Sequence, residues 1–227
     1  MSNLESAVHF NLIDSLIQRG RVPTKRETAD RLGVSLEAVE QTLKSLAETH
    51  GVVLHPHSGD VWVIHPFSAS PTATWLAVES HGWWCPCMWC ACGVANLVGG
   101  TATIHTRLGG EAEDVDIHID NGAVRENDLV VHFAVPPRGA WDNVHHFCAT
   151  VLPFRDANAV RQWSERHGIP VGAVVPIEQV MALGKVWYGR HADRDWQKWS
   201  VREAASIFES VGLVGEFWSL PTTDGGF

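Results

Sequence analysis

The most informative stretch of the sequence is Cys85-Pro86-Cys87-Met88-Trp89-Cys90-Ala91-Cys92, which holds four of the five cysteines. It follows a strand pattern at Trp75–Val78 and opens a predicted helix over residues 88–99, ended by Gly99-Gly100. An odd total of five thiols, four of them clustered, does not fit a disulfide framework. Thiolates prefer Zn, Cu(I), Hg or iron–sulfur clusters to Mg or Ca. The stretch therefore predicts a soft-metal site or thiol chemistry.

C-terminal to this stretch, the pattern alternates between strands and helices. Strands are predicted at Thr101–Thr106, Asp114–Ile119 and Leu129–Val135, and helices at Trp141–Thr150, Ala157–His167, Pro176–Leu183 and Val201–Val211. This mixture predicts an α+β domain over residues 66–221, with a loose tail at 222–227. The turn-rich segment His65–Pro71 is interpreted as a linker in front of it.

N-terminal to the linker, residues 1–65 are typical of a winged helix-turn-helix module. An amphipathic first helix is followed by predicted helices at Lys25–Leu32 and Ser35–His50, and Thr24 with Glu27 can form a capping box. A hairpin, the wing, is expected where Val52-Val53-Leu54 and Val61–Ile64 flank a polar turn.

The charge balance limits the classes of partner. The 227 residues carry a net charge of -9, and residues 1–65 hold six Lys or Arg against eight Asp or Glu. DNA-binding modules usually carry a basic stripe, so we favour a packing role for the helical module over DNA binding. No apolar run is long enough for a membrane span, and Met1–Glu5 does not begin a signal peptide. We expect a cytoplasmic protein without membrane or nucleic-acid partners.

Residues outside the stretch can complete a metal site. Cys148 is the remaining thiol and follows His145-His146 in a predicted helix. The candidate soft-metal ligands are Cys85, Cys87, Cys90, Cys92 and Cys148. For Cys92, burial as a small hydrophobic residue is an equal alternative. A thioredoxin-like redox use of the C-x-x-C pair is a further alternative, although four clustered thiols are atypical of it.

Several short motifs, in order, resemble one known family. They are His65-Pro66-Phe67-Ser68-x-x-Pro71-Thr72, the cysteine motif ending at Gly99, Val130-Val131-His132-Phe133, Trp141-Asp142-x-x-x-x-Phe147-Cys148 with Phe154, and Val211-Gly212-Leu213-x-Gly215-x-Phe217-Trp218. Together they resemble the organomercurial (alkylmercury) lyases over nearly the whole chain.

The resemblance implies a winged-helix-like helical part followed by a mixed α/β core with antiparallel strands. It also implies cleavage of a carbon–mercury bond by protonolysis, without an added cofactor. Two cysteines of the family hold mercury, and Cys87 and Cys148 match them. The family's catalytic aspartate, three residues after the first cysteine, is replaced here by Cys90. Cys90 is therefore expected to act as third thiol and proton relay, with Asp142 as another candidate acid.

Four hypotheses about function follow. The first is an organomercurial-lyase-like enzyme that uses Cys87, Cys90 and Cys148 on a small organometallic substrate, with external thiols as partners. The second is a Cys-rich protein that binds Zn, Cu or Hg without turnover. The third is a lyase-fold enzyme recruited to another thiol-dependent reaction. The fourth, which we rank last, is a metal-responsive transcriptional regulator.

Overall fold

The computed structural model describes residues 1–221, so the predicted tail at 222–227 lies outside the described residues. The helices of the described part are α1 Asn3–Arg19, α2 Lys25–Leu32, α3 Leu36–Glu48, α4 Met88–Val98, α5 Val144–Ala149, α6 Ala157–His167, α7 Ile177–Tyr188 and α8 Val201–Ser210. None of these helices is long and apolar enough to cross a membrane.

The strands fall into two sheets in which all the paired neighbours run antiparallel. They are β1 Val53–Leu54, β2 Val61–Ile64, β3 Phe67–Ser68, β4 Thr74–Val78, β5 His81–Cys85, β6 Thr101–Arg107, β7 Asp114–Asp120, β8 Ala123–Val124, β9 Val130–Phe133, β10 Val151–Phe154 and β11 Ala173–Pro176. Helices and antiparallel sheets together confirm the predicted α+β class.

The N-terminal module has the predicted three helices and hairpin. Thr24 and Glu27 cap α2 reciprocally, as the capping-box spacing predicts. A second capping box, Ser2 with Glu5, begins α1. Strands β1 and β2 pair as the expected hairpin.

The larger sheet runs across the predicted boundary at residue 65. Its strand order is β1-β2-β3-β5-β4-β6-β7-β8. The interpretation of His65–Pro71 as a linker is therefore wrong, because β3 lies inside it and pairs with both β2 and β5. The segment is held by Phe67, which is fully buried with its ring 6.5 Å from that of Trp83.

The smaller sheet has the order β10-β9-β11. Only its central strand β9 was expected, and the two edge strands were missed because Pro153 and Pro176 interrupt the strand pattern. Proline is tolerated at sheet edges, where one face of the backbone has no partner strand.

Two predicted helices have different bounds. The helix expected over Trp141–Thr150 begins only at Val144, because the side chain of Asn143 accepts a hydrogen bond from the His146 amide and caps it there. The helix expected over Pro176–Leu183 continues to Tyr188.

Helices α4 and α7 pack backbone against backbone. A Cβ atom at Gly184 would lie 2.9 Å from the Cβ of Cys92, and one at Gly93 would lie 2.2 Å from Cδ2 of Tyr188. Glycine at both positions therefore lets Tyr188 lie directly over α4. This packing brings the end of α7 to the cysteine stretch.

Candidate thiol site

The N-terminus of α4 places the first two thiols of the site. Cys87 is the N-cap residue, and its Sγ accepts a hydrogen bond from the Cys90 amide at 3.4 Å. Cys90 lies at the third helical position, so its Sγ comes within 3.4 Å of the Cys87 Sγ. The C-x-x-C spacing therefore produces a pair of adjacent buried sulfurs.

A third thiol and an imidazole come from distant parts of the chain. The Sγ of Cys148, on α5, lies 3.6 Å from Nε2 of His65, which follows β2. The ligand atoms of His65, Cys90 and Cys148 all lie within 4.8 Å of one another. Soft thiolates with one imidazole suit a soft or borderline metal ion.

The hydrogen bonds give the three thiols different protonation states. Burial alone would raise the pKa of Cys87, but hydrogen bonds from the Cys148 and Cys90 thiols and from the Cys90 amide lower it well below its usual value. Burial and the same contacts raise the pKa of Cys90 well above its usual value. The contact with Cys87 likewise raises the pKa of Cys148. The site therefore holds one thiolate beside two protonated thiols.

Two further polar groups complete the site. The hydroxyl of Tyr188 lies 3.5 Å from the Cys90 Sγ, and burial raises its pKa well above the usual value, so it stays protonated. Desolvation lowers the pKa of His65 to about 4, so its imidazole is neutral at pH 7. Neither residue was predicted from the sequence. Two signals were available. His65 begins the first motif of the family resemblance, and Tyr188 is the single tyrosine of the chain.

The thiols border a partly open cavity of about 60 Å³. Its walls are largely aromatic and include Trp89, Trp141 and Phe208. A volume of this size holds a few waters or a small organic group. The lining residues are His9, His50, Gly51, His65, Cys87, Trp89, Cys90, Pro137, Ala140, Trp141, Val144, Phe147, Cys148, Trp187, Tyr188, His191, Trp196, Lys198 and Phe208.

Three candidate residues lie away from this cavity. Cys85 is buried on β5 with its Sγ 3.7 Å from the Trp83 carbonyl oxygen, and Cys92 is buried against Gly184 of α7. Burial raises the pKa of both thiols, as expected for protonated core residues. Asp142 is exposed and does not line the cavity. The structure therefore brings together Cys87, Cys90 and Cys148 but not Cys85, Cys92 or Asp142.

A comparison with family models gives the relationship of this chain to known proteins. The model of the alkylmercury lyases matches residues 67–189, which include the thiols of the site and Tyr188. The chain belongs to the alkylmercury lyase family. No curated protein matches the chain.

A solved relative supports the same fold for this alkylmercury lyase family member. The crystal structure of the mercury-bound form of MerB2 superposes with a TM-score of 0.69, at 16% sequence identity. The match covers 84% of this chain and 93% of the other. The expected family and its fold are confirmed.

Proposed function

We propose that the protein cleaves carbon–mercury bonds by protonolysis. The observation that carries this proposal is the convergence of three thiols, Cys87, Cys90 and Cys148, on one cavity, where hydrogen bonds lower the pKa of Cys87 and raise that of Cys90. Such a set can bind a soft metal and deliver a proton beside it, which are the two requirements of the reaction.

Substrate binding begins at Cys87. Its thiolate displaces a weak ligand from an organomercurial, so a sulfur–mercury bond forms as the old mercury–ligand bond breaks. Cys148 then binds the mercury as a second thiolate, and its proton leaves with the ligand displaced from the metal, because His65, with a pKa of about 4, is too weak a base to hold it. Two thiolates increase the electron density on the carbon bound to mercury.

Proton transfer to carbon is assigned to Cys90. Its thiol gives a proton to the carbon as the carbon–mercury bond breaks, leaving a hydrocarbon and Hg(II) on Cys87 and Cys148. Cys90 stays a thiolate until the metal is released. Protons and charges therefore balance without a cofactor.

External thiols complete the turnover. Two of them replace Cys87 and Cys148 on the metal and give their protons to these sulfurs, and Cys87 then passes its proton to the Cys90 thiolate, 3.4 Å away. Hg(II) leaves as a dithiolate, which is favoured because thiol ligands match its softness.

The test measures release of benzene from phenylmercury with excess 2-mercaptoethanol. We expect steady release by the protein and background release by Cys87→Ser and Cys148→Ser, because a hydroxyl is a poor ligand for mercury. Cys92→Ala is the matched control, since this thiol lies outside the cavity, and it should retain activity. Absence of release by the folded wild-type protein, or full activity of Cys87→Ser, would refute the proposal.

Metal binding without turnover is the second candidate. The observation that favours it is the cluster of His65, Cys90 and Cys148 within 4.8 Å, to which Cys87 adds a further sulfur. Four such donors suit tetrahedral Zn as well as Hg. Stoichiometric metal in the purified protein, lost in Cys90→Ser and Cys148→Ser, together with no benzene release, would favour this candidate.

A further inference from the structure

The lining of the cavity includes buried polar nitrogens without hydrogen-bond partners. Among the described residues, five that line the cavity have a buried side-chain nitrogen that makes no hydrogen bond. These atoms are Nε1 of Trp89, Nε1 of Trp141, Nδ1 of His191, Nε1 of Trp196 and Nζ of Lys198. Buried polar groups normally have a partner, so their concentration around one cavity requires an explanation.

Lys198 is the one of these groups that carries a full positive charge. Burial lowers its pKa to about 8, with a smaller opposing effect from Glu5. Glu5 does not pair with the ammonium group, since its carboxylate accepts hydrogen bonds from the Ser2 amide and the Ser45 hydroxyl. The side chain passes close to Gly51, where a Cβ would lie 3.4 Å from Cε of Lys198. Lys198 is half-buried as a residue, and a cation in such a position without a counter-charge is destabilising.

The chemistry of the donors selects the complementary group. Indole N–H and ammonium groups donate hydrogen bonds and accept none. The residues that line the cavity include no aspartate or glutamate. The cavity therefore offers positive charge and donors but no carboxylate to pair with them, and an anionic acceptor would satisfy both needs.

We propose that Lys198 and Trp196 form a subsite that binds a carboxylate of the ligand beside the thiols. This proposal rests on the proposed function, since it assigns a substrate class to the same cavity. The carboxylate belongs either to the organic group of the organomercurial or to the external thiol that removes Hg(II). In both cases a planar anion would accept hydrogen bonds from the ammonium and indole groups.

Two arms of one experiment distinguish the sources. The first compares KM for 4-hydroxymercuribenzoate with KM for phenylmercury. The second compares the rate at which 3-mercaptopropionate and 2-mercaptoethanol remove Hg(II) from the loaded protein. If the subsite binds the organic group, KM should be about 10-fold lower for 4-hydroxymercuribenzoate; if it binds the external thiol, removal should be about 10-fold faster with 3-mercaptopropionate. A factor of this size is typical of a charged hydrogen bond. Lys198→Met should abolish the preference and Lys198→Arg should restore most of it.

The control variant is Lys185→Met, because Lys185 is an exposed lysine of α7 outside the cavity. It should keep the wild-type preference. Titration of the unloaded protein with benzoate gives a readout independent of catalysis, with binding expected in the wild type and lost in Lys198→Met. If the wild type binds benzoate but releases no benzene, the proposed function is refuted and the subsite is not. Equal handling of carboxylate and neutral compounds in both arms, or a preference unchanged in Lys198→Met, would overturn the subsite.

Discussion

In the proposed mechanism, turnover depends on Cys90. It occupies the position at which the family resemblance places an aspartate, and its thiol is buried with a raised pKa. A thiol in this state can donate a proton to carbon, but after donation the new thiolate can also bind mercury. The same side chain therefore supports both protonolysis and metal retention.

Substitution of Cys90 separates these two roles. We expect Cys90→Ser to lower the rate of benzene release by about 10²–10⁴-fold, the usual contribution of a positioned acid. Cys90→Asp should exceed the wild-type rate, because a carboxyl group releases its proton more readily and binds mercury less well. Single-turnover benzene release measures both variants. Wild-type activity in Cys90→Ser would show that the proton comes from another group.

His9 links the stability of the protein to pH. Burial lowers its pKa from 6.5 to about 3, and its ring stacks on Trp196 at 4.3 Å. The unfolded chain therefore binds a proton that the folded protein excludes, so this contribution to stability is complete above pH 6.5 and is lost as the pH falls towards 3.

We predict that His9→Phe reduces this acid sensitivity. Phenylalanine preserves the stacking surface but does not titrate. Between pH 7 and pH 4 the wild type should lose roughly 3 kcal/mol more free energy of unfolding than the variant. Urea unfolding at both pH values measures the difference. Equal losses in the two proteins would contradict the assignment of this effect to His9.

Among the elements, α4 and α7 define the geometry of the thiol site. Gly184 allows α7 to contact the backbone of α4 at Cys92 and Gly93, and this contact holds Tyr188 near Cys90. A methyl group at Gly184 meets main-chain atoms, which do not move aside as a flexible side chain would. The helices would therefore have to separate.

Gly184→Ala is predicted to destabilise the fold by about 1–3 kcal/mol, the usual cost of overpacking. It should also slow benzene release, because Tyr188 and Cys90 belong to the two displaced helices. Thermal unfolding and the activity assay measure the two effects. Val186→Ala, at an exposed position of α7, is the control and should change neither by much. An unchanged melting temperature in Gly184→Ala would exclude tight contact at this position.

Local sequence signals predicted many of the elements. The bounds of α2 and α6 were predicted correctly. Thr24 caps the start and Gly33 the end of α2, and Gly168 follows the last residue of α6. Strands β10 and β11 were missed because each contains a proline. Edge positions tolerate proline, but the sequence does not indicate which strands lie at an edge.

The candidate site was predicted only in part. Cys87 and Cys90 were found through local spacing, and Cys148 as the one thiol outside the stretch, which the family resemblance then matched to a mercury ligand. His65 and Tyr188 were missed because their proximity to the thiols depends on tertiary packing. His65 is 83 residues from Cys148 and Tyr188 is 98 residues from Cys90, so no local pattern relates them.

At the scale of the whole molecule, the N-terminal module and the following core share one structure. Trp83 donates a hydrogen bond through Nε1 to the Leu16 carbonyl at 2.6 Å, and Gln197 donates one to Ser6 at 2.8 Å. Strands β2 and β3 join the two parts within one sheet. The boundary proposed at residue 65 therefore separates parts that are extensively bonded to each other.

We predict a single cooperative unfolding transition for the protein. The contacts across residue 65 couple the two parts, so neither should melt alone. Scanning calorimetry should give one peak with equal calorimetric and van't Hoff enthalpies. Two resolved transitions, or stable folding of residues 1–65 in isolation, would instead establish independent domains.

The thiols of the site come from segments that are far apart in the chain, and this has a mechanical consequence. A mercury ion held by Cys87 and Cys148 would close a loop of about sixty residues, as a disulfide does. Such a cross-link lowers the entropy of the unfolded chain and would stabilise the folded protein by about 4 kcal/mol. Formation of the mercury product would then cross-link the protein, and departure of the dithiolate would remove the cross-link. Resistance to proteolysis would therefore rise and fall once in each catalytic cycle.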